Sequence, residues 1–294
     1  MRVMTNKIAF VTSSVKPDFA SNDLHVVDSL KSAGAEVIPL PWDDDGVEWK
    51  AFDLVVLRSC WNYQLHPEKF QSWIDKLEHE KVNLANTVRT ARWNLHKGYL
   101  KELCQQGVHT PETVWVPKGT TCNLSSLTNT KQWNRAVVKP AISANALNTF
   151  LFSVSDAAQQ QAKFDTLVAH GDMLIQKFMP EVQDQGEWSL IFFNKEFSHA
   201  VIKRPSSKDF RVQHDFGGTA TPAEPPSFVL QQAEKILDLI KEPLLFARVD
   251  GVVSENKFIL MELELIEPVL FLETENGSAQ AFAQAMTNYI KNYN

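Results

Sequence analysis

Asp250, Glu262 and Glu264 are carboxylates set in apolar sequence, within the runs Phe246-Ala-Arg-Val-Asp-Gly-Val-Val253 and Phe258-Ile-Leu-Met-Glu-Leu-Glu-Leu-Ile266. An ionised carboxylate inside an apolar strand is costly unless a cation or several donors compensate it. A period of two puts Glu262 and Glu264 on one face of their strand. A hairpin through Ser254-Glu-Asn256 would then bring Asp250 beside them. Three such groups on one face suit Mg2+, which takes oxygen ligands, keeps several waters and shares phosphate oxygens. The competing reading is a solvated strand face with Met261, Leu263 and Leu265 turned inward, and alternation alone does not choose between them.

Lysines give the complementary signal. Lys139 ends the run Ala136-Val-Val-Lys-Pro140, and Lys97 follows Arg92-Trp-Asn-Leu-His96. A lysine at a strand end can meet a phosphate as a point charge, although most isolated lysines simply face water. Arg58, in Arg58-Ser-Cys-Trp-Asn-Tyr63, follows a strand-like run and is a candidate for gripping a substrate carboxylate. Its planar fork suits a two-point contact. The alternatives are a cap on the following helical region or a pair with Asp53. Cys60 lies in the same loop, but no histidine–asparagine partnership surrounds it, so a bland buried thiol is the preferred reading. Seven of the eight tryptophans precede residue 134, which reads as packing rather than a binding box.

These residues need elements to position them. Ile8–Thr12, Ala35–Leu40 and Asp53–Leu57 read as short buried strands, and Asp23–Ala33 and Pro67–Glu80 as helices. Strand–helix alternation of this kind implies parallel β–α–β units, so residues 1–88 are expected to form a Rossmann-like domain. Ligands approach such sheets at the carboxyl ends of the strands, which singles out Ser13–Asn22 and Arg58–His66. Beyond Thr90 the pattern changes. Ala91–Gln105 reads as one helix, and Thr113–Val116, Ala136–Pro140, Thr149–Val154 and Met173–Phe178 read as strands. Asp156–Ala169 reads as a helix capped by Asp or Ser. Trp188–Phe193 and Phe197–Ile202 form a hairpin around Asn194-Lys195, Phe228–Lys241 and Ala279–Asn292 are helices, and Leu245–Val253 and Lys257–Leu265 are strands. Residues 89–294 are therefore expected as an α+β unit.

Composition narrows the partners. The 294 residues are 44% hydrophobic and 22% charged, with 35 acidic against 29 basic side chains and a net charge of −6. That is the make-up of an ordinary globular protein, and it lacks the basic excess of a nucleic-acid-coating surface. Three scattered cysteines without zinc spacing suit a reducing compartment, no apolar run is long enough to span a bilayer, and a cytoplasmic location is expected.

The ordered set of motifs resembles the ATP-grasp ligases. It is near the glutathione-synthetase and RimK-type enzymes, and nearest the subgroup that contains the cycloserine-forming ligase. The carrying pieces include Leu57-Arg-Ser-Cys-Trp-Asn-Tyr63, Trp93-Asn-Leu-His-Lys-Gly-Tyr-Leu100, Gly107-Val-His-Thr-Pro111 and Val137-Val-Lys-Pro140. Leu174-Ile-Gln-Lys-Phe178, Lys203-Arg204, Phe210-Arg211, Ala247-Arg-Val-Asp-Gly251 and Met261-Glu-Leu-Glu-Leu-Ile-Glu-Pro268 complete the series. The resemblance implies an ATP-grasp domain over 89–294, with a lid at about 112–178, after the Rossmann-like domain of 1–88. It implies that Lys97 and Lys139 contact the α- and β-phosphates of ATP. Gln176, Lys177 and Phe178 would form the hinge against adenine, and Glu187, or else Glu181, would take the ribose. Arg211 would face the γ-phosphate, and Asp250, Glu262 and Glu264 would hold one or two Mg2+ ions. The sequence departs from the family's pattern in two places. Ala141–Asn148 lacks phosphate-cradling glycines, and Glu262-x-Glu264 stands where Glu-x-Asn is common.

The function implied is an ATP-dependent carboxylate–amine ligase. It would release ADP through an acyl phosphate and act on a small amino acid or derivative, whether by intermolecular ligation or by cyclisation. An ATP-grasp phosphotransferase and a non-catalytic ATP-binding module are the alternatives. Neither nucleic acid nor membrane is expected as a partner, and the oligomeric state, a homo-oligomer included, is left open.

Overall fold

The computed structural model describes residues 6–207 and 209–293. Its first sheet is built from β1 (Lys7–Thr12), β2 (Glu36–Pro41), β3 (Leu54–Leu57) and the two-residue β4 (Leu84–Ala85), with helices α1 (Leu24–Ser32) and α2 (Pro67–His79) between them. The strands run parallel in the order β2-β1-β3-β4, with Ile8 level with both Val37 and Leu54. All four residues of β3 are buried, as a strand covered on both faces must be. One face packs on Phe70, Trp42, Trp49 and Trp73, whose rings meet edge to face or tilted, so these three tryptophans are core, whereas Trp61, Trp93 and Trp115 are half-buried. The other face packs on α1 and on Phe282 and Met286 of the last helix.

The chain continues through α3 (Val88–Leu95) and α4 (Tyr99–Gln105), β5 (Thr113–Val116), α5 (Leu124–Lys131), β6 (Arg135–Pro140), β7 (Phe150–Ser153), α6 (Ala157–Val168) and β8 (Met173–Lys177). The last four strands form an antiparallel sheet in the order β5-β8-β6-β7, with α5 and α6 packed on it. Two expectations are corrected here. The single helix expected over 91–105 is broken at His96–Gly98. His96 is extended there (φ −107°, ψ 123°), and the Lys97 N–H bonds to the carbonyl of Ala141 at 2.8 Å instead of to its own helix. Helix α5 was not expected, because Ser, Thr and Asn favour caps and turns over helix interiors. Asn123 caps it from outside by accepting the Ser126 N–H at 2.8 Å.

A five-stranded antiparallel sheet closes the fold. Its elements are the short α7 (Glu181–Asp184), β9 (Glu187–Phe193), β10 (Glu196–Arg204), β11 (Thr219–Pro222), α8 (Ser227–Asp238), β12 (Phe246–Ser254), β13 (Lys257–Glu264) and α9 (Ser278–Tyr293). The strand order is β11-β10-β9-β12-β13. Both expected hairpins form, with left-handed φ at Asn194 (51°) and Lys195 (66°) and at Glu255 (50°) and Asn256 (60°). Two-residue hairpin loops of the primed type require that conformation.

Strand β13 is the edge of this sheet, yet its backbone is not bare. The Asn94 side chain donates to Leu263 O (2.8 Å) and accepts from Leu265 N (2.9 Å), and the Tyr99 hydroxyl accepts from Leu263 N (3.0 Å). Asn86, fully buried, donates to Phe246 O (2.9 Å) and Leu265 O (2.8 Å) and accepts from Leu245 N (2.7 Å). These amides join the first sheet to the third. Asn86→Leu keeps the volume and strands three buried backbone groups, each worth about 1–3 kcal/mol when left unpaired. Urea unfolding is expected to show a loss of about 3 kcal/mol or more, and an unchanged midpoint would remove Asn86 from the seam.

Candidate active site

The three sheets and their loops enclose a cavity of roughly 1200 Å³. Lys97, Lys139, Lys203, Arg211 and Arg248 bring positive charge to it, and Glu187, Asp250, Glu262, Glu264 and Glu267 bring negative charge.

Asp250 sits on β12 level with Glu262 on β13, and Arg248 lies level with Glu264. The hairpin thus delivers the adjacency expected from the sequence. The side chains, however, turn to cations rather than to one another. Asp250, buried at 2% exposure, accepts from Ser189 Oγ (2.6 Å), Lys203 Nζ (2.8 Å) and Arg248 Nη2 (2.9 Å). Burial opposes its ionisation, but Arg248 and Lys203 hold the carboxyl well below the usual range. Lys203 also pairs with Glu187 at 2.6 Å, and Arg248 reaches across to Glu264. Burial pushes Glu264 up to about 8 despite Arg248, with Asp250 and Glu262 adding to the rise. Glu262 pairs with Lys97 at 2.9 Å, and against its burial Lys97 and Lys139 keep it lowered.

Lys97 owes its place to the helix break, which aims Nζ at Glu262 and at the carbonyl of Ser143 (3.1 Å). Lys139 lines the same cavity and has no ion-pair partner among the described residues. Burial lowers its pKa, and nearby Lys97 adds to the fall. A lysine so placed has an open demand for an anion. The loop over these lysines carries no glycine, and Asn145, Ala146 and Asn148 take the left-handed conformation instead (φ 52°, 52° and 57°). Asparagine adopts that conformation more readily than most residues.

The other sequence-predicted residues divide. Gln176, Lys177 and Phe178 line the cavity, but the Gln176 amide donates to Thr113 Oγ1 (3.0 Å). The N–H groups of Lys177 and Phe178 are bonded to the carbonyls of Glu112 and Arg135. Glu187 lines the cavity, whereas Glu181 does not and accepts from Ser254 Oγ. Arg211 lines it too, held by Asp209 through Nε (3.0 Å) and Nη2 (2.7 Å), with its guanidinium over the Phe216 ring. That pair pulls Asp209 down to about 2.

Arg58 is a correction. It is 2% exposed and does not line the cavity. Nε and Nη2 grip Asp23 (3.1 and 2.6 Å), and the guanidinium lies near the rings of Phe246 and Phe282. Nε and Nη2 are thus taken by Asp23, while Nη1 has no hydrogen-bond partner among the described residues. Asp53, the partner weighed from the sequence, accepts instead from Lys7 N at 2.7 Å. Cys60 is fully buried, and burial pushes its thiol well up, in keeping with the bland reading.

Among the described residues, no three acidic, histidine or cysteine side chains gather as a metal cluster. The donor chemistry nevertheless fits a hard cation. Glu262 and Glu264 are carboxylates partly open to the cavity (31% and 27% of the side chain), with Asp250 behind them. Arg248 and Lys203, which hold this cluster together, were given no role from the sequence. Arg248 was legible, since two residues before Asp250 in a strand is the same face. Lys203 faces Asp250 from β10, two strands away, and no local pattern announces it.

A model of the family "D-cycloserine synthetase DcsG, N-terminal domain" matches residues 8–86. The cycloserine biosynthesis protein DcsG of Streptomyces lavendulae is 26% identical over 299 residues, covering 97% of this chain and 99% of that protein. The crystal structure of D-cycloserine synthetase DcsG superposes with a TM-score of 0.85 at 24% identity, covering 97% of this chain and all of the other (100%). The D-alanine–D-alanine ligase of Bacillus anthracis complexed with ATP superposes with a TM-score of 0.67 at 16% identity, over 98% of this chain and 96% of that one. No helix among the described residues is long and apolar enough to cross a membrane. The chain thus has the fold of the ATP-grasp ligases and is similar over nearly its full length to the cycloserine biosynthesis protein DcsG.

Proposed function

We propose that the protein is an ADP-forming carboxylate–amine ligase that activates a small amino acid or derivative as its acyl phosphate. The observation that carries this reading is the charge arrangement of one cavity, where the unpaired Lys139 and the Lys97–Glu262 pair face the Arg248–Glu264 and Lys203–Asp250 pairs. Phosphoryl transfer asks chiefly for positioning and for neutralisation of spread negative charge. Lys97 and Lys139 would neutralise the α- and β-phosphates, and Arg211 would swing from Asp209 to the transferred phosphoryl group. Glu187 fits the ribose better than Glu181, because only Glu187 faces the cavity. Gln176 to Phe178 would wall the adenine. Glu262 and Glu264, backed by Asp250, would hold Mg2+, one ion or two, which when bound neutralises phosphate charge.

The substrate carboxylate would attack the γ-phosphorus and displace ADP, and an amine would then attack the acyl carbon and displace phosphate. The amine of a second molecule gives ligation, and an amine of the same molecule gives cyclisation. In this reading residues 1–88 are a substrate domain, residues 89–294 an ATP-grasp domain and about 112–178 its lid. The likeness to DcsG along nearly the whole chain supports an amino-acid-like substrate.

ATP-dependent phosphate release against a panel of amino acids tests the reading. Release is expected only with a molecule, or a pair, that carries both carboxylate and amine. Release with a lone carboxylate would mean a phosphotransferase, and none with any member would mean a binding module. Glu262→Gln is expected to fold normally and lose turnover at least a hundredfold, so wild-type turnover at ordinary Mg2+ would discard the metal assignment. Lys139→Ala should weaken ATP binding about tenfold or more by calorimetry with little change in melting temperature, since Lys139 makes no direct ion pair among the described residues and acts on Glu262 only at longer range. Arg58→Ala should do the opposite. It leaves Asp23 buried and unpaired at a cost of about 3–5 kcal/mol, so the melting temperature falls while ATP affinity is kept. A normal melting temperature with a raised substrate KM would return Arg58 to the substrate.

A further inference from the structure

The chain between β13 and α9 forms one wall of the cavity through Val269, Phe271, Glu273 and Thr274. Phe271 holds the left-handed conformation there (φ 50°, ψ 38°). Positive φ at a bulky residue is a genuine outlier, and such strain persists only where surrounding contacts over-determine it. Those contacts are present, because four consecutive carbonyls of this wall each accept a hydrogen bond from a side chain. Val269 O takes Arg248 Nη1 (3.0 Å), Leu270 O takes His199 Nε2 (2.8 Å), Phe271 O takes Thr274 Oγ1 (2.7 Å) and Leu272 O takes Ser278 Oγ (2.7 Å). Thr274 lies in the wall's own turn and Ser278 at the start of α9. Arg248 belongs to the cavity cluster, and its guanidinium lies 5.6 Å from the centre of the Phe271 ring. His199 alone comes from elsewhere. It stands on β10, is 5% exposed, and does not line the cavity.

The strand is irregular where this contact is made. The register of β10 on β9 shifts between Phe197 and His199, and Ser198 has no partner residue across the ladder. A bulge of this kind re-aims side chains. Here Ser198 Oγ meets His199 Nδ1 at 2.9 Å. The Leu270 carbonyl can only accept, so Nε2 carries the proton and Nδ1 takes the proton of the Ser198 hydroxyl. Burial lowers the pKa of the ring and favours this neutral form, against the pull of the Leu270 and Phe271 backbone and of Glu275 and Glu273.

We infer that His199, its tautomer set by Ser198, is a positioning residue that holds the strained Phe271 turn and, through it, the Arg248 guanidinium at the cavity wall. Without the imidazole donor the buried Leu270 carbonyl loses its partner, and Phe271 is free to relax toward negative φ and away from Arg248. Lys97 and Lys139 stand on other elements, so ATP affinity is kept while turnover falls. The effect on turnover rests on the ligase reading, and the effect on the wall does not.

The test uses the full chain and three variants. His199→Leu removes the donor, His199→Gln returns a side-chain N–H at a similar reach, and Ser198→Ala frees the tautomer while keeping the imidazole. The Thr274 amide donates to Phe271 O (2.9 Å), so its hydrogen–deuterium exchange reads the wall directly. Exchange there should quicken about tenfold or more in His199→Leu and a few-fold in Ser198→Ala, and stay within about twofold of wild type in His199→Gln, with the amides of β9 unchanged throughout. Phosphate release with the best amino-acid substrate should show kcat down about tenfold in His199→Leu and largely recovered in His199→Gln, with KM for ATP held within about twofold. Wild-type exchange at Thr274 in His199→Leu would overturn the inference. So would equal impairment of the Leu and Gln variants, a quickening shared by β9, or faster exchange at Thr274 with wild-type kcat. Should His199→Leu fail to fold, Ser198→Ala decides, since wild-type exchange at Thr274 in that variant overturns the inference and a local quickening at wild-type melting temperature supports it. A wild type that releases no phosphate with any amino acid would bring down the ligase reading and leave the exchange result to judge the wall.

Discussion

An ionised Asp250 in the middle of an apolar strand is the constraint from which the rest of the site follows. A carboxylate this deeply buried is tolerated only with full compensation. Arg248 supplies it from the same strand and Lys203 from β10, with Ser189 completing the set. Arg248 also reaches Glu264, and Lys203 also reaches Glu187, which ties both cations to a second strand. The cluster thus spans β10, β9, β12 and β13 and locks their side chains in mutual register. Removing a charged member leaves its partner's charge buried without compensation, so the charges hold one another in place without a ligand. Rigid, pre-paid charge is what a phosphoryl-transfer site requires, because dipoles and charges that need no rearrangement act most strongly.

The amides along β13 carry that order to the rest of the cavity. Asn94 and Tyr99 hold the backbone of Leu263 and Leu265, which flank Glu264. The same short stretch, α3 to α4, contains the break that places Lys97 on Glu262. One local departure from helical geometry therefore fixes both a strand edge and an ion pair. Asn86 does the corresponding work between the parallel sheet and the large antiparallel one. Loops that end the parallel strands are in this way held against the segment after β13, and the cavity is lined from both sides.

Much of this was legible in the residues themselves. Alternating strands and helices before residue 88, the two hairpins and the adjacency of Asp250 to Glu262 all follow from periodicity and turn chemistry. Three things did not follow. The helix over 91–105 shows no breaker before Gly98, and the bond that opens it goes to Ala141, far along the chain. Arg58 reads as a ligand-facing arginine because its loop lies at the right edge of the sheet. Its partner Asp23 is 35 residues earlier, and no spacing rule links the two. Lys203 and His199 gain their significance only when distant strands and loops are brought together. The residues that the sequence misplaced are those whose partners are set by tertiary contact, while those it placed well are set by the period of a single strand.

The glycine-free loop over the lysines has a consequence for affinity. Glycine segments explore many conformations when free and lose that freedom when they close on a phosphate. Here Asn145, Ala146 and Asn148 already sit in the left-handed region, and their side chains deny the chain many of the alternatives open to glycine. Were the loop to meet phosphate as proposed, less disorder would be surrendered, and correspondingly more of the contact energy would be left to appear as binding.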